Sequence, residues 1–108
     1  MKRICLAVLV TASAFGMAAP ATHAAGIGMN RVTANDLYIR SSPVGLFIGT
    51  LVRNDFMNVQ EISSGGWAYG YAYGGARKCG WALVGTPSNP YLVTTSSAPP
   101  YAPPYCRR

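Results

Sequence analysis

From Val32 onward, apolar and polar positions alternate in short runs, and no window sustains the 3.6-residue repeat of an amphipathic helix. LYIR (37–40) sets Leu37 and Ile39 against Tyr38 and Arg40. After the loop SSPVG, LFIGTLV (46–52) reads as a second strand, and RND makes a turn. FMNVQEI (56–62) is a third strand, with Met57 and Val59 on one face and Asn58 and Gln60 on the other. The tight-turn signal SSGG (63–66) leads into the most regular stretch of all, GGWAYGYAYGG (65–75). GGARKCG (74–80) reads as a polar hairpin connection, WALV (81–84) as a fifth strand, and Tyr91-Leu92-Val93 as a short last one. Short strands at this spacing, punctuated by turns, predict an all-β domain, a small barrel or sandwich of five to six strands.

The fourth strand raises the functional question. Trp67, Tyr69, Tyr71 and Tyr73 alternate with Ala68, Gly70 and Ala72. A period of two puts every ring on one face and nothing larger than a methyl group on the other. Two registers are open: rings outward as a ladder over a core filled by other strands, or rings inward as the core itself. A ladder facing outward is a large amphipathic surface, suited to sugar faces, extended peptides or proline-rich strands. The same rings serve equally well as packing that shields backbone in a domain with a thin core.

Composition changes abruptly at both ends. Met1-Lys2-Arg3, the apolar run ICLAVLVTASAFGMAA, Pro20 and THA before Ala25 form the pattern of a secretory signal peptide over residues 1–24. A membrane anchor is the competing reading, but the run is short against the roughly 20 residues that span a bilayer. Cys5 lies far upstream of the cut, so a free product is expected rather than a lipoprotein. Cleavage leaves 84 residues, one small domain, with residues 25–31 (AGIGMNR) as a flexible leader and 32–93 as the folded unit. Residues 94–108 form a tail with the tandem Ala-Pro-Pro-Tyr at 98–101 and 102–105, which favours extended polyproline II. It serves either as a stiff spacer or as a strand that docks on an aromatic groove.

Charge and cysteines narrow the partners. Seven basic side chains (Arg31, Arg40, Arg53, Arg77, Lys78, Arg107, Arg108) stand against Asp36, Asp55 and Glu61, a net charge of +4 without clustering. That scatter points away from nucleic acid and toward weak attraction to anionic cell envelopes. The two cysteines after the cut, Cys79 and Cys106, read most simply as one disulfide tying the tail to the domain, which would let the Ala-Pro-Pro-Tyr tail itself cover the aromatic strand. Free thiols or an intermolecular bridge are the alternatives.

In order along residues 32–93, VTANDLYIRSSP, IGTL with Asp55 shortly after, GGW, Gly80-Trp81 and Tyr91-Leu92 resemble the elements of a bacterial SH3 domain. Ser42 stands where that family usually has glycine, and Gly70 where a branched apolar residue usually follows the tryptophan by three. The resemblance implies a small, partly open SH3-like barrel. It also implies a binding module of the kind attached to cell-wall enzymes, recognising peptidoglycan or its peptides. In the family's register Ala68 and Gly70 point inward, so Leu37, Ile39, Phe47 or Ile48, Met57, Val59 and Leu83 must fill the core.

Catalytic chemistry has little to work with. The one histidine, His23, falls within the signal peptide, which removes the usual general base and the commonest metal ligand. Asp55 reads as a turn former accepting backbone N–H groups, and Asp36 and Glu61 as surface carboxylates. The expectation is therefore a secreted, monomeric, non-enzymatic binding module without metal or cofactor. Its candidate ligand-contacting rings are Trp67, Tyr69, Tyr71, Tyr73, Tyr38 and Trp81. Peptidoglycan, a peptide or another extracellular protein is the expected partner, and a secreted effector or inhibitor built on the same barrel is the alternative.

Overall fold

The computed structural model describes residues 24–108, so the expected signal peptide lies outside the described residues apart from Ala24. Nine strands follow in order: β1 (Gly28–Val32), β2 (Asp36–Arg40), β3 (Phe47–Val52), β4 (Phe56–Ile62), β5 (Trp67–Ala72), β6 (Lys78–Leu83), β7 (Gly85–Thr86), β8 (Asn89–Pro90) and β9 (Leu92–Thr94). Seven of them form one antiparallel sheet in the order β9-β1-β4-β5-β6-β2-β3, and β7 with β8 makes a separate two-stranded ribbon. The all-β expectation holds. The expected barrel of five to six strands is corrected to an open seven-stranded sheet, with β9 and β3 at its edges.

Alternation decides which residues face inward. Leu37, Ile39, Leu51, Met57 and Val59 are buried with Ala68, Ala72 and Ala82 in one apolar cluster. Val32 of β1 and Leu92 of the edge strand β9 join that cluster, and Leu51 brings in β3 at the other edge. Ile48 packs against it, whereas Phe47 is exposed and Leu83 faces outward. Those two are removed from the expected core: the pairing slips between Ile39 and Arg40, and Leu83 lies opposite Trp67 on the outer side.

Two segments differ from the sequence reading. The expected leader 25–31 contains most of β1, an interior strand paired with β9 on one side and β4 on the other. Its inward position is Asn30, a fully buried amide where a hydrophobic side chain would have advertised a strand. The amide is satisfied locally: it donates to the Gly26 and Gly28 carbonyls and accepts from the Gly26 N–H. Such complete bonding is what makes a buried polar side chain tolerable. The polar stretch Lys78-Cys79-Gly80 likewise belongs to β6 rather than to the turn, aligned with Gly70, Tyr71 and Ala72 of β5.

Gly70 sits where β4 bulges between Val59 and Glu61. A side chain there would run into the Asn58 carbonyl and stand 2.9 Å from the Val59 Cα. Backbone approaching this closely admits only glycine.

Candidate functional site

The small residues of β5 point into the core and its rings point outward, the first of the two registers. The outer face nevertheless is not an open ladder. Tyr69, Tyr71, Tyr73 and Trp81 are buried and form a second apolar cluster with Cys106. Their cover is the C-terminal tail, which runs back over the sheet antiparallel to β5.

The attachments can be followed one by one. Tyr101 lies on Tyr73 with ring centroids 5.1 Å apart, and the Tyr73 hydroxyl donates to the Tyr101 carbonyl at 3.2 Å. Cys106 is bonded to Cys79, the disulfide expected from the even count. The Gln60 amide grips the Cys106 backbone twice, donating to its carbonyl at 2.9 Å and accepting from its N–H at 2.6 Å. The Tyr69 hydroxyl donates to the Arg107 carbonyl at 2.8 Å. Arg108 ends the run, 3.1 Å from Glu61 and with its guanidinium 5.6 Å from the centre of the Trp81 ring. Edge-on stacking of Tyr71 against Tyr73 and the tilted pair of Tyr69 with Trp81, each about 5.0 Å between centroids, complete the layer. These geometries are typical of attractive aromatic pairs.

Burial leaves a mark on the phenols. Burial first, then the neighbouring Tyr101 hydroxyl, pushes Tyr71 above its ordinary value of 10.0, with Arg77 opposing. Burial and the phenols of Tyr101 and Tyr71 push Tyr73 the same way. The folded chain thus favours the neutral phenols. Their contribution is fully present below the unfolded value of about 10 and is lost as pH rises through the higher folded values. Tyr71 and Tyr73 are expected to ionise above the ordinary phenol value, together with loss of near-ultraviolet dichroism. Ionisation of Tyr71 and Tyr73 at the ordinary value, with the fold intact, would contradict the buried layer.

Beyond Trp81, the described residues leave the outer face open. Trp67, half-buried, and the exposed Tyr38 and Leu83 line a groove of about 250 Å³ with Asp36, Arg40, Leu37 and Tyr91. Tyr38 stacks edge-on against Phe47 at 5.2 Å, extending the apolar floor toward β3. Asp36 and Arg40 flank Tyr38 at alternate outward positions of β2, so one wall carries a carboxylate and a guanidinium on either side of a ring. Arg40 is held in place by donating to the Gly45 carbonyl at 3.0 Å.

The six rings singled out from sequence are therefore divided. Tyr69, Tyr71, Tyr73 and Trp81 serve as internal packing under the tail, and only Trp67 and Tyr38 meet the open groove. Sequence reasoning missed Tyr91, Leu83, Asp36 and Arg40 as lining residues. It also missed Gln60 as the clamp on the tail. The signal available for Tyr91 was its place beside Pro90 at the start of the last strand; Gln60 had only its outward position on β4. Asp55 does accept the Val52 N–H at 2.9 Å, the turn role expected of it. Comparison with protein-family models, with curated proteins and with solved structures finds no match for this chain.

Proposed function

We propose that the chain is an exported, non-enzymatic, SH3-like binding module of the cell envelope or extracellular space. Its ligand is an extended segment, a peptidoglycan peptide first, lying in the groove between Tyr38 and Trp67. The observation that carries this reading is the division of the aromatic face. Four rings are sealed under a covalently anchored tail, while Trp67 and Tyr38 stay open beside Leu83 and Tyr91.

The chemistry of the groove suits that ligand. Ring faces take up the apolar side of an extended chain or a sugar, and Asp36 and Arg40 offer partners for an amine and a carboxylate. Peptide stems of a cell wall carry both groups. The SH3-like part of the reading rests on the sequence resemblance carried by motifs such as Trp67 and Gly80-Trp81.

Co-sedimentation with purified peptidoglycan tests the reading. Wild-type mature protein is expected in the pellet, and Trp67→Ala combined with Tyr38→Ala to bind at least about tenfold more weakly, since central aromatic contacts are commonly worth more than 1 kcal/mol each. Binding no better than that of a basic control protein, or untouched by the double variant, would remove it. Recovery of one stoichiometric soluble protein instead would favour the effector or inhibitor reading.

A further inference from the structure

The hairpin joining β2 and β3 ends in an apex that the groove does not use. Its loop, residues 41–46, is tightly closed: the Ser41 N–H donates to the Leu46 carbonyl at 2.9 Å, and the Gly45 N–H to the Ser42 carbonyl at 2.7 Å. Gly45 is required there, because a side chain would meet the Ser42 backbone at 3.0 Å. At the tip Val44 is 86% exposed, Leu46 76% and Phe47 56%, with Tyr38 at 51% behind them. Val44 has φ of 53°, a left-handed conformation that is an outlier for a β-branched residue. Strain of this kind persists where the surrounding structure imposes it, and it clusters at sites of function. Here a closed turn holds Val44 and Leu46 out in water, next to the exposed Phe47 at the start of β3.

Arginines predominate around the tip, one of them, Arg108, paired with Glu61. Arg40 shares a hollow with Tyr38 and Phe47. Arg107 and Arg108 line another with Ser41, Ser42 and Pro43. Of the three carboxylates among the described residues, Asp55 accepts the Val52 N–H, Glu61 pairs with Arg108, and Asp36 lies at the opposite end of β2 from the loop. An apolar tip ringed by arginines is the arrangement that sits at a lipid–water boundary, side chains among the acyl chains and cations at the headgroups. Two copies meeting tip to tip would oppose their arginines, which disfavours a dimer through this apex.

We infer that the β2–β3 apex is a membrane-surface anchor: Val44 and Leu46 insert into the interface of an anionic bilayer, with Arg107 and Arg108 at its phosphates. This surface adjoins the proposed groove but does not depend on it, and it would hold the module against an envelope while the groove engages its ligand.

Vesicle flotation of the oxidised, full mature chain tests the anchor. Vesicles of phosphatidylcholine and phosphatidylglycerol in about equal parts are expected to bind at least tenfold better than phosphatidylcholine alone, with binding reduced by salt. Leu46→Ser with Val44→Gly is expected to reduce binding about tenfold or more, as loss of two inserted side chains requires. Val44→Gly alone relieves the left-handed strain, so weaker binding by that variant cannot be ascribed to misfolding. Arg107→Gln with Arg108→Gln should weaken binding to the mixed vesicles only. Equal binding to both vesicle types would overturn the proposal, as would binding that follows the arginines but ignores Val44 and Leu46. Self-association lost on changing the apex would also overturn it, making the tip a protein interface.

Discussion

Replacing both Cys79 and Cys106 by serine is expected to free the tail and cost the domain roughly 3–4 kcal/mol, as closure of a 27-position loop implies. A domain of this size holds only about 5–10 kcal/mol in all, so the loss is a large fraction. The non-covalent attachments do not replace the bond. Gln60 supplies two hydrogen bonds and Tyr69 and Tyr73 one each, worth roughly 1 kcal/mol apiece. Ordering the tail's backbone costs roughly 1 kcal/mol or more per residue over about ten residues, less where proline already fixes φ. The balance favours release once the bridge is gone, and Tyr69, Tyr71, Tyr73 and Trp81 become exposed. Hydrogen exchange should rise across residues 67–73, the urea midpoint should fall, and the late-titrating phenols should return to ordinary behaviour. Unchanged protection over 67–73 in the double variant would show that the tail is not what covers the rings.

The second large effect is expected from a single methyl group. Gly70→Ala places a Cβ against the Asn58 carbonyl and the Val59 Cα, both backbone atoms of the strand next to it. A flexible side chain could swing away; a bulged strand in the middle of the sheet cannot. Overpacking commonly costs 1–3 kcal/mol, and because the β4–β5 ladder itself must part here, a loss of about 3 kcal/mol or more is expected. Gly75→Ala is the control, since nothing lies within 4 Å of the added carbon there. Urea unfolding of the two variants should separate them sharply. Equal stability of Gly70→Ala and the parent chain would mean that β4 and β5 are not paired in this register.

These two cases mark what could be read from the chain and what could not. The facing of β5 was legible, because period-two alternation between rings and small residues allows only two registers. The resemblance to a bacterial SH3 domain, in whose register Ala68 and Gly70 point inward, favours small residues inward. Its burial was not legible from the strand alone. The cover comes from residues 101–108, some 30 positions downstream, and is fastened by Cys106 and by Gln60 on a different strand. β1 was hidden because its inward position is an asparagine that meets its own bonds within four residues. The start of β6 was hidden because Lys78 and Cys79 look like turn chemistry, and only pairing with Tyr71 and Ala72 shows otherwise. Gly70 stood out in the sequence as a departure, but its cause, a bulge in a neighbouring strand, is a tertiary fact. As for the groove, Trp67 and Tyr38 were visible as aromatics. Asp36, Arg40, Leu83 and Tyr91 join them through sheet order and through the turn into the last strand, neither of which alternation encodes.

The aromatic face has two halves, one occupied by the chain's own tail and one open, where a ligand is proposed to bind. Nuclear magnetic resonance of the oxidised mature protein, titrated with soluble peptidoglycan fragments, tests this division ring by ring. Shifts are expected to concentrate at the Trp67 indole and at Tyr38, Leu83 and Tyr91, while Tyr71 and Tyr73 stay still beneath Tyr101. Shifts centred on Tyr69, Tyr71 and Tyr73 with the disulfide intact, or no shifts at the Trp67 groove at all, would contradict it.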